Sequence, residues 1–314
     1  MAIVVSFIGL LPETSDAHGI AGKRFFPTTF AVDDPFVSDE FSLLIDHRKM
    51  PGDGESPSFL STTFSTELSK RITPAFGISV GESWQRIKPD GGPATTGFNN
   101  LELSMKYQFL TSDVHEAIAS LGLGVELGGT GTKRIGAESF SVISPTINFG
   151  KGFGDLPDSL SFLKPLAVTG SIGPNFPTRS KNVTVTTDQS PDGDIVQTTQ
   201  VDRNPTTLTW GFTIQYSLMY LQQFVKDIGL GTPLNRMILV IEFPMETCLN
   251  AGCKGRTTGT INPGVVWAGK YMQFGVAAEI PINSRSGRHV GVLGLFHLFV
   301  DDLFPNSFGK PLFP

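Results

Sequence analysis

The chain has 314 residues, a net charge of -5 and 17% charged residues, and it is rich in glycine (35), proline (22) and phenylalanine (25). Mild acidity with few basic residues argues against a nucleic-acid partner. No run of eighteen apolar residues occurs, which argues against a membrane-spanning helix, and long helical periodicity is missing, which argues against a helical or α/β enzyme.

The chain opens on a short apolar run, Ala2 to Leu11, followed by PETSDA and His18-Gly19. The run reads as the apolar part of an export signal with cleavage after Ala17, although the usual basic start is missing; the alternative is a buried first strand. Residues 1–17 are expected to be a signal-peptide remnant and 18–40 an irregular periplasmic segment. A barrel is expected over 41–300 and a periplasmic tail over 301–314. His18, as a new N-terminus, would bring an amine and an imidazole together, but a lone terminal histidine is ordinarily just solvated. Asp33, Asp34, Asp39, Glu40, Asp301 and Asp302 give acidic pairs that are read as solvated carboxylates rather than a calcium site.

A weak first strand at about 41–48 is followed by clearer ones. Leu60, Thr62, Phe64, Thr66 and Leu68 share one face; Phe76, Ile78, Val80 and Trp84 share the next. Leu101, Leu103, Met105, Tyr107 and Phe109 alternate with Glu102, Ser104, Lys106 and Gln108, and Leu121 to Leu127 alternates with Gly122, Gly124 and Glu126. In the strand around Ile143–Phe149, Pro145 cannot donate to a ladder and predicts a bulge or a shift in pairing. One or two helical turns are expected over 155–163, a weaker strand over 164–172, and an aperiodic loop over 173–206. The strand at 207–220 has the clearest period of two: Leu208, Trp210, Phe212, Ile214, Tyr216, Leu218 and Tyr220 on one face, Thr207, Thr209, Gly211, Thr213, Gln215 and Ser217 on the other. Further strands are expected at about 234–247, 257–268, 270–281 and 289–300.

Twelve candidate strands suit an all-β, antiparallel transmembrane β-barrel of the outer-membrane type, with both termini periplasmic. A soluble sandwich also alternates, so three features decide between them. The strands run longer than the usual five or six residues. Aromatics (Trp84, Phe109, Phe149, Trp210, Tyr220, Phe243, Trp267, Phe299) stand near strand ends. The polar faces are rich in Gly, Ser and Thr, as a crowded lumen requires. The longest connection and the pair Cys248 and Cys253 then fall on the outer side. In an oxidising compartment the two cysteines could form a small loop disulfide; free thiols are the alternative, and a zinc site would need two further ligands.

The segments FNNLELSMKYQFL, DDPFVSDEF and FHLFVDDLFP resemble uncharacterised bacterial outer-membrane barrels grouped with the phenol-degradation-pathway (MetA-pathway) transporter-like family, over most of the chain after about residue 18. The resemblance implies a twelve-stranded barrel in a Gram-negative outer membrane and passive uptake or efflux of small, hydrophobic solutes, without covalent chemistry. The chain departs from the commonest barrel ending, since Phe299 is followed by DDLFPNSFGKPLFP instead of closing the chain. Expected partners are outer-membrane lipid and lipopolysaccharide, the barrel-assembly machinery and a small solute, for a monomer without a cofactor or metal.

The inward parity carries Glu67, Glu102, Lys106, Glu126, Thr209, Thr213, Gln215, Glu242, Glu279 and His297, the candidate lumen-lining residues. An acidic lumen would favour cations. The competing reading is a plugged interior: a twelve-stranded cylinder is narrow, its charges can serve rigidifying networks, and the N-terminal segment could fill it. The remaining alternatives are a non-conducting structural barrel, an exported soluble β-sandwich binding module, and a barrel-embedded hydrolase. For the last, His47, His115, His289 and His297 are available, but none lies in GxSxG or HExxH.

Overall fold

Alternation with a period of two gives each strand one outer and one inner set of side chains, so a sheet that closes on itself acquires an outer face and a lumen. The protein, described by a computed structural model over residues 19–52, 57–189 and 195–313, closes in this way. Twelve antiparallel strands form the wall: β1 (Glu40–Met50), β2 (Phe59–Thr73), β3 (Phe76–Pro89), β4 (Leu101–Ser112), β5 (Ala117–Leu127), β6 (Val142–Gly152), β7 (Leu166–Pro177), β8 (Thr207–Ser217), β9 (Met237–Cys248), β10 (Thr257–Ala268), β11 (Met272–Pro281) and β12 (Gly291–Phe299). Each pairs with its neighbours in sequence, and β12 returns to β1 from Phe299↔Glu40 to Val292↔His47. The rim carrying the short β2–β3 and β10–β11 turns is called the turn rim; the long β7–β8 connection marks the opposite, loop rim.

Every strand contributes half-exposed apolar side chains to the outer face; Leu103, Met105, Ile147, Ile172, Leu239 and Val276 are 42–53% exposed. A continuous apolar belt of this extent is not left to water by a soluble protein. Together with a sheet that has no free edge, it is the outer surface of a lipid-embedded barrel and not one face of a sandwich. On β3 the charge of Glu82 falls on the outward parity of the belt. The β3–β4 ladder stops at Gly81↔Glu102, and β3 pairs instead with a short strand, Thr95–Phe98. At the break the Ser83 N–H donates to Glu82 Oε1 at 3.1 Å, so the carboxylate serves a backbone group that the ladder leaves over.

Four expectations need correction. β8 ends at Ser217, and Leu218–Tyr220 form a helical turn capped by Ser217 Oγ. Tyr220 therefore does not mark a lipid interface: it is 5% exposed and turned into the turn rim. Phe299 is 2% exposed, edge-on to Phe25 inside the barrel, and is likewise no interface aromatic. The 173–206 stretch carries a two-stranded ribbon, Lys181–Gln189 with Ile195–Arg203. Pro145 causes no shift: it keeps register with Leu123, while the β6–β7 ladder skips from Ile147↔Ile172 to Ile143↔Phe176. The turns at 155–163 are present as a 3-10 segment, Asp158–Leu163.

Residues 19–39 lie inside the barrel. They begin as a ribbon, Ile20–Ala21 against Arg24–Phe25, fixed at the turn rim. Arg24 is 1% exposed; its Nε meets Glu116 Oε2 at 3.2 Å, Nη1 donates to Pro165 O, Nη2 donates to Lys164 O, and its guanidinium stacks 3.8 Å from the Tyr220 ring. Glu116 also accepts from Tyr220 Oη and from the Gly154 N–H. Burial, then the bond to Glu116, pushes the Tyr220 phenol up to about 12. Glu116 holds φ at 46°, a region that disfavours side chains, because three partners converge on its carboxylate. A Cβ on Gly154 would stand 2.3 Å from Glu116 Oε1, so glycine is required there. At the other end of the segment Asp39 is fully buried and takes Lys70 Nζ, Arg71 Nε and the Arg71 N–H at 2.7–2.9 Å.

Removing one partner of a buried ion pair costs about 3–5 kcal/mol. Glu116→Ala is therefore expected to release the ribbon while the barrel stays closed: hydrogen exchange at residues 20–25 rises by two or more orders of magnitude, and heat-modifiable gel migration is retained.

Candidate functional site

The lumen has two unlike walls. On β9–β12 the sequence is apolar on both parities, as in Met237–Ile241 and Val292–Phe296. A strand that is apolar on both faces is shielded from water on both. The outer set meets the lipid belt, and the inner set, including Ile238, Val240, Val266, Ala277, Leu293 and Leu295, is at most 5% exposed around Phe30 of the internal segment. Gly275 leaves room for that ring, whose Cζ would stand 2.8 Å from a Cβ at this position. Burying a phenylalanine in this way contributes about 1.5–3 kcal/mol. A second cluster, Ala21, Phe26 and Phe36 against Ile118 and Ala167, seats the lower part of the segment. The alternation scheme treated inward positions as polar and passed over this wall; the uninterrupted apolar runs were the available signal.

Polar contacts hold the rest of the segment. Glu242, fully buried, accepts the N–H groups of Phe30 and Ala31 at 2.9 and 3.3 Å through one oxygen. Lys106 Nζ donates to Asp33 Oδ1 at 2.9 Å and to Asp34 O at 2.7 Å. The Val37 N–H donates to Gln108 Oε1. His297, also fully buried, has Ser42 Oγ 2.8 Å from Nδ1, Thr28 Oγ1 3.5 Å from Nε2 and Glu40 Oε2 3.6 Å from Nε2. The ring is closed in between the wall and the segment, and these contacts tie the two together.

The opposite wall, β3–β6, is lined by small groups: Gly77, Ser79, Ser104, Gly122, Gly124, Ser144 and Thr146. Between them and the segment runs a crevice of about 180 Å³ that Lys106 and Glu67 also border. It shares Glu67, Ser79, Ser104, Gly124 and Ser144 with a loop-side cavity of about 650 Å³, where Glu67, Glu102, Glu126, Glu138 and Glu246 face Arg203. Two further cavities, of about 370 and 560 Å³, reach Phe30 and Ala31 from the loop side.

The predicted lumen residues thus divide. Glu67, Glu102 and Glu126 line the open vestibule, with Glu102 opposite Glu126 in the ladder and Asn100 Nδ2 donating to Glu126. Thr209, which accepts from Asn175, and Glu279, bonded to Arg48 at 2.8 Å, border the 560 Å³ cavity. Thr213 and Gln215 are covered, the latter bonded to Thr169. Lys106, Glu242 and His297 hold the segment. Asp39 and Asp301, read as solvated carboxylates, are buried at the turn rim beside Arg71. Cys248 and Cys253 are bonded to each other at the loop rim. His18 lies outside the described residues. Among the described residues, no group of three or more His, Cys, Asp or Glu is placed to hold a metal.

No protein-family model matches the chain, and no curated protein matches it. Solved structures do. An outer-membrane channel from Pseudomonas putida F1 is 10% identical, covers 88% of this chain and 99% of its own, and superposes with a TM-score of 0.51. The KdgM porin is 16% identical over 82% of this chain and 98% of its own, with a TM-score of 0.44. The β domain of the Bordetella autotransporter BrkA is 12% identical over 84% and 99%, with a TM-score of 0.47. This chain has the fold of an outer-membrane β-barrel. At such low identity the likeness extends to the fold and no further.

Two N–H groups depend on Glu242, that of Phe30 buried and that of Ala31 partly so, and a buried one loses about 1–3 kcal/mol when left without an acceptor. Glu242→Ala is expected to raise amide exchange at Phe30 and Ala31 by ten- to a hundredfold, with exchange in the β9–β10 ladder unchanged.

Proposed function

We propose that the protein is a channel of the Gram-negative outer membrane, with both termini at the periplasmic rim, through which small solutes pass by diffusion. The observation that carries this reading is the chain of connected cavities beside the internal segment. The segment packs against the apolar wall, and the facing wall bears glycine and serine where larger side chains would have closed the gap. A barrel serving only as a scaffold has no use for that gap. The apolar inner wall and the resemblance to MetA-pathway barrels both favour small solutes of low polarity. The acidic vestibule favours cations among ions, because low-dielectric walls concentrate the field of its carboxylates. No step in this reading requires covalent chemistry, a cofactor or a second subunit, and the contacts it invokes with other molecules are those with lipid, lipopolysaccharide and the assembly machinery.

The second reading, a closed structural barrel, draws on the same segment, whose tip, Ala31 to Asp33, meets staves on opposite sides of the lumen. Conductance in planar bilayers separates the two. The channel reading expects small, steady, cation-preferring openings, and a reversal potential moved toward anions, with at least about a twofold loss of cation preference, in Glu102→Lys/Glu126→Lys. Removing residues 26–38 is expected to enlarge the conductance severalfold. A wild-type protein that passes no current, set against a truncated one that does, would instead identify a closed barrel.

A further inference from the structure

Phe30 occupies its socket the way a ligand would. The ring is 4% exposed, is surrounded by side chains from four strands, and borders two of the loop-side cavities, so it is reachable from the loop rim. The polypeptide carrying it is a loop pinned at both ends to the same rim, by Arg24 on one side and Asp39 on the other. The tip can therefore swing aside without unthreading. Its remaining holds are hydrogen bonds to Glu242, Lys106, Gln108 and His297 and, lower down, the packing of Phe26 and Phe36 against Ile118 and Ala167.

The surface beneath is built for water as much as for protein. Asn148 Oδ1, Thr213 Oγ1 and both polar atoms of Asn262 are buried without a hydrogen-bond partner among the described residues. Such groups are destabilising while covered and regain hydrogen bonds when water reaches them. Displacement of the loop thus relieves a cost at these groups, while the apolar socket loses its occupant. The position of the loop is decided by what fills the socket.

We propose that Phe30 is an intramolecular stand-in for a neutral, single-ring aromatic solute, and that such a solute takes the socket, displaces the 26–38 loop and widens the crevice. This step rests on the channel reading for its purpose, but the displacement is measurable without any current. The socket is lined by aliphatic side chains and Gly275, and the ionisable group beside it, Glu242, is an acid, so an anionic ring is excluded by the cost of desolvation without a cation to offset it.

The test uses the full chain in lipid nanodiscs, with Val32→Cys as reporter and Thr29→Cys as a second one; the native residues are 6% and 8% exposed. Alkylation by a water-soluble maleimide is followed with toluene, with benzenesulfonate, and with neither. Heat-modifiable migration verifies the fold of each variant. Toluene is expected to accelerate alkylation about tenfold, a shift of about 1.4 kcal/mol, and benzenesulfonate to leave it unchanged. Gly275→Ala, which narrows the socket, is expected to give fast alkylation without toluene and little further response to it. A rate unmoved by toluene, or moved equally by benzenesulfonate, overturns the proposal. Conductance recorded in parallel reports on the channel reading separately. Accelerated alkylation without current would uphold the displacement and remove the channel, whereas current without acceleration would do the reverse.

Discussion

A barrel wall that is apolar on both faces needs a covering on the inside as well as the outside. Lipid can supply the outer one. Inside β9–β12 the chain supplies its own, by sending residues 26–38 up from the turn rim and placing Phe30 against Ile238, Val240, Val266 and Leu293. Most of the interior follows from that contact. Glu242 is buried because the turn carrying Phe30 presents two N–H groups to it. Gly275 is small because the ring stands over it. The Arg24–Glu116–Tyr220 cluster and the Asp39–Arg71 pair hold the two ends of the loop so that its tip reaches this wall.

The asymmetry has a functional consequence. Had the segment been centred, it would have sealed the lumen. Because it leans on one wall, the other needs only small side chains to leave a crevice beside it, and β3–β6 provide them. The two walls present different chemistry to anything passing between: hydroxyls, glycine backbone and carboxylates on one side, aliphatic surface under Phe30 on the other. Charge is also distributed by depth. The carboxylates without a fixed cation partner, Glu102 and Glu126, belong to the loop-side vestibule, while Lys106 stands at the level of the segment, held between Asp33 and Asp34.

Much of the wall was legible in the sequence, because a period of two survives wherever one face meets lipid and the other meets polar groups. β4 and β8 are of this kind, and twelve strands with a closing β12–β1 pair follow from them and their neighbours. Legibility failed where the environment of a face was not the assumed one. Tyr220 continues the outward parity of β8, yet the chain turns after Ser217, since the phenol finds Glu116 and Arg24 at the rim. Phe299 looks like the aromatic that ends a last strand, but its parity is that of His297, which is inward. The irregularity of residues 18–40 was visible, and a plugged interior filled by this segment was one reading of it; which wall the segment meets was not legible, because a segment folded against the lumen of a barrel has partners on many strands and needs no period of its own. Glu242 and Lys106 were found as inward charges, but parity cannot distinguish a residue lining water from one holding another part of the chain.

The placement of the N-terminal segment against β8 and β9 supports everything said about the lumen, and a cross-link tests it most directly. Val32 Cγ2 lies 3.0 Å from the position a Cβ would take on Gly211, a spacing suited to a disulfide between cysteines at the two positions. With Val32→Cys and Gly211→Cys introduced together and the protein kept in intact outer membrane, mild oxidation should join them in most molecules and should fail for Val32→Cys paired with a cysteine at Lys88, on the far side of the loop rim. No bond between positions 32 and 211, with the Val32→Cys thiol freely alkylated, would contradict the account.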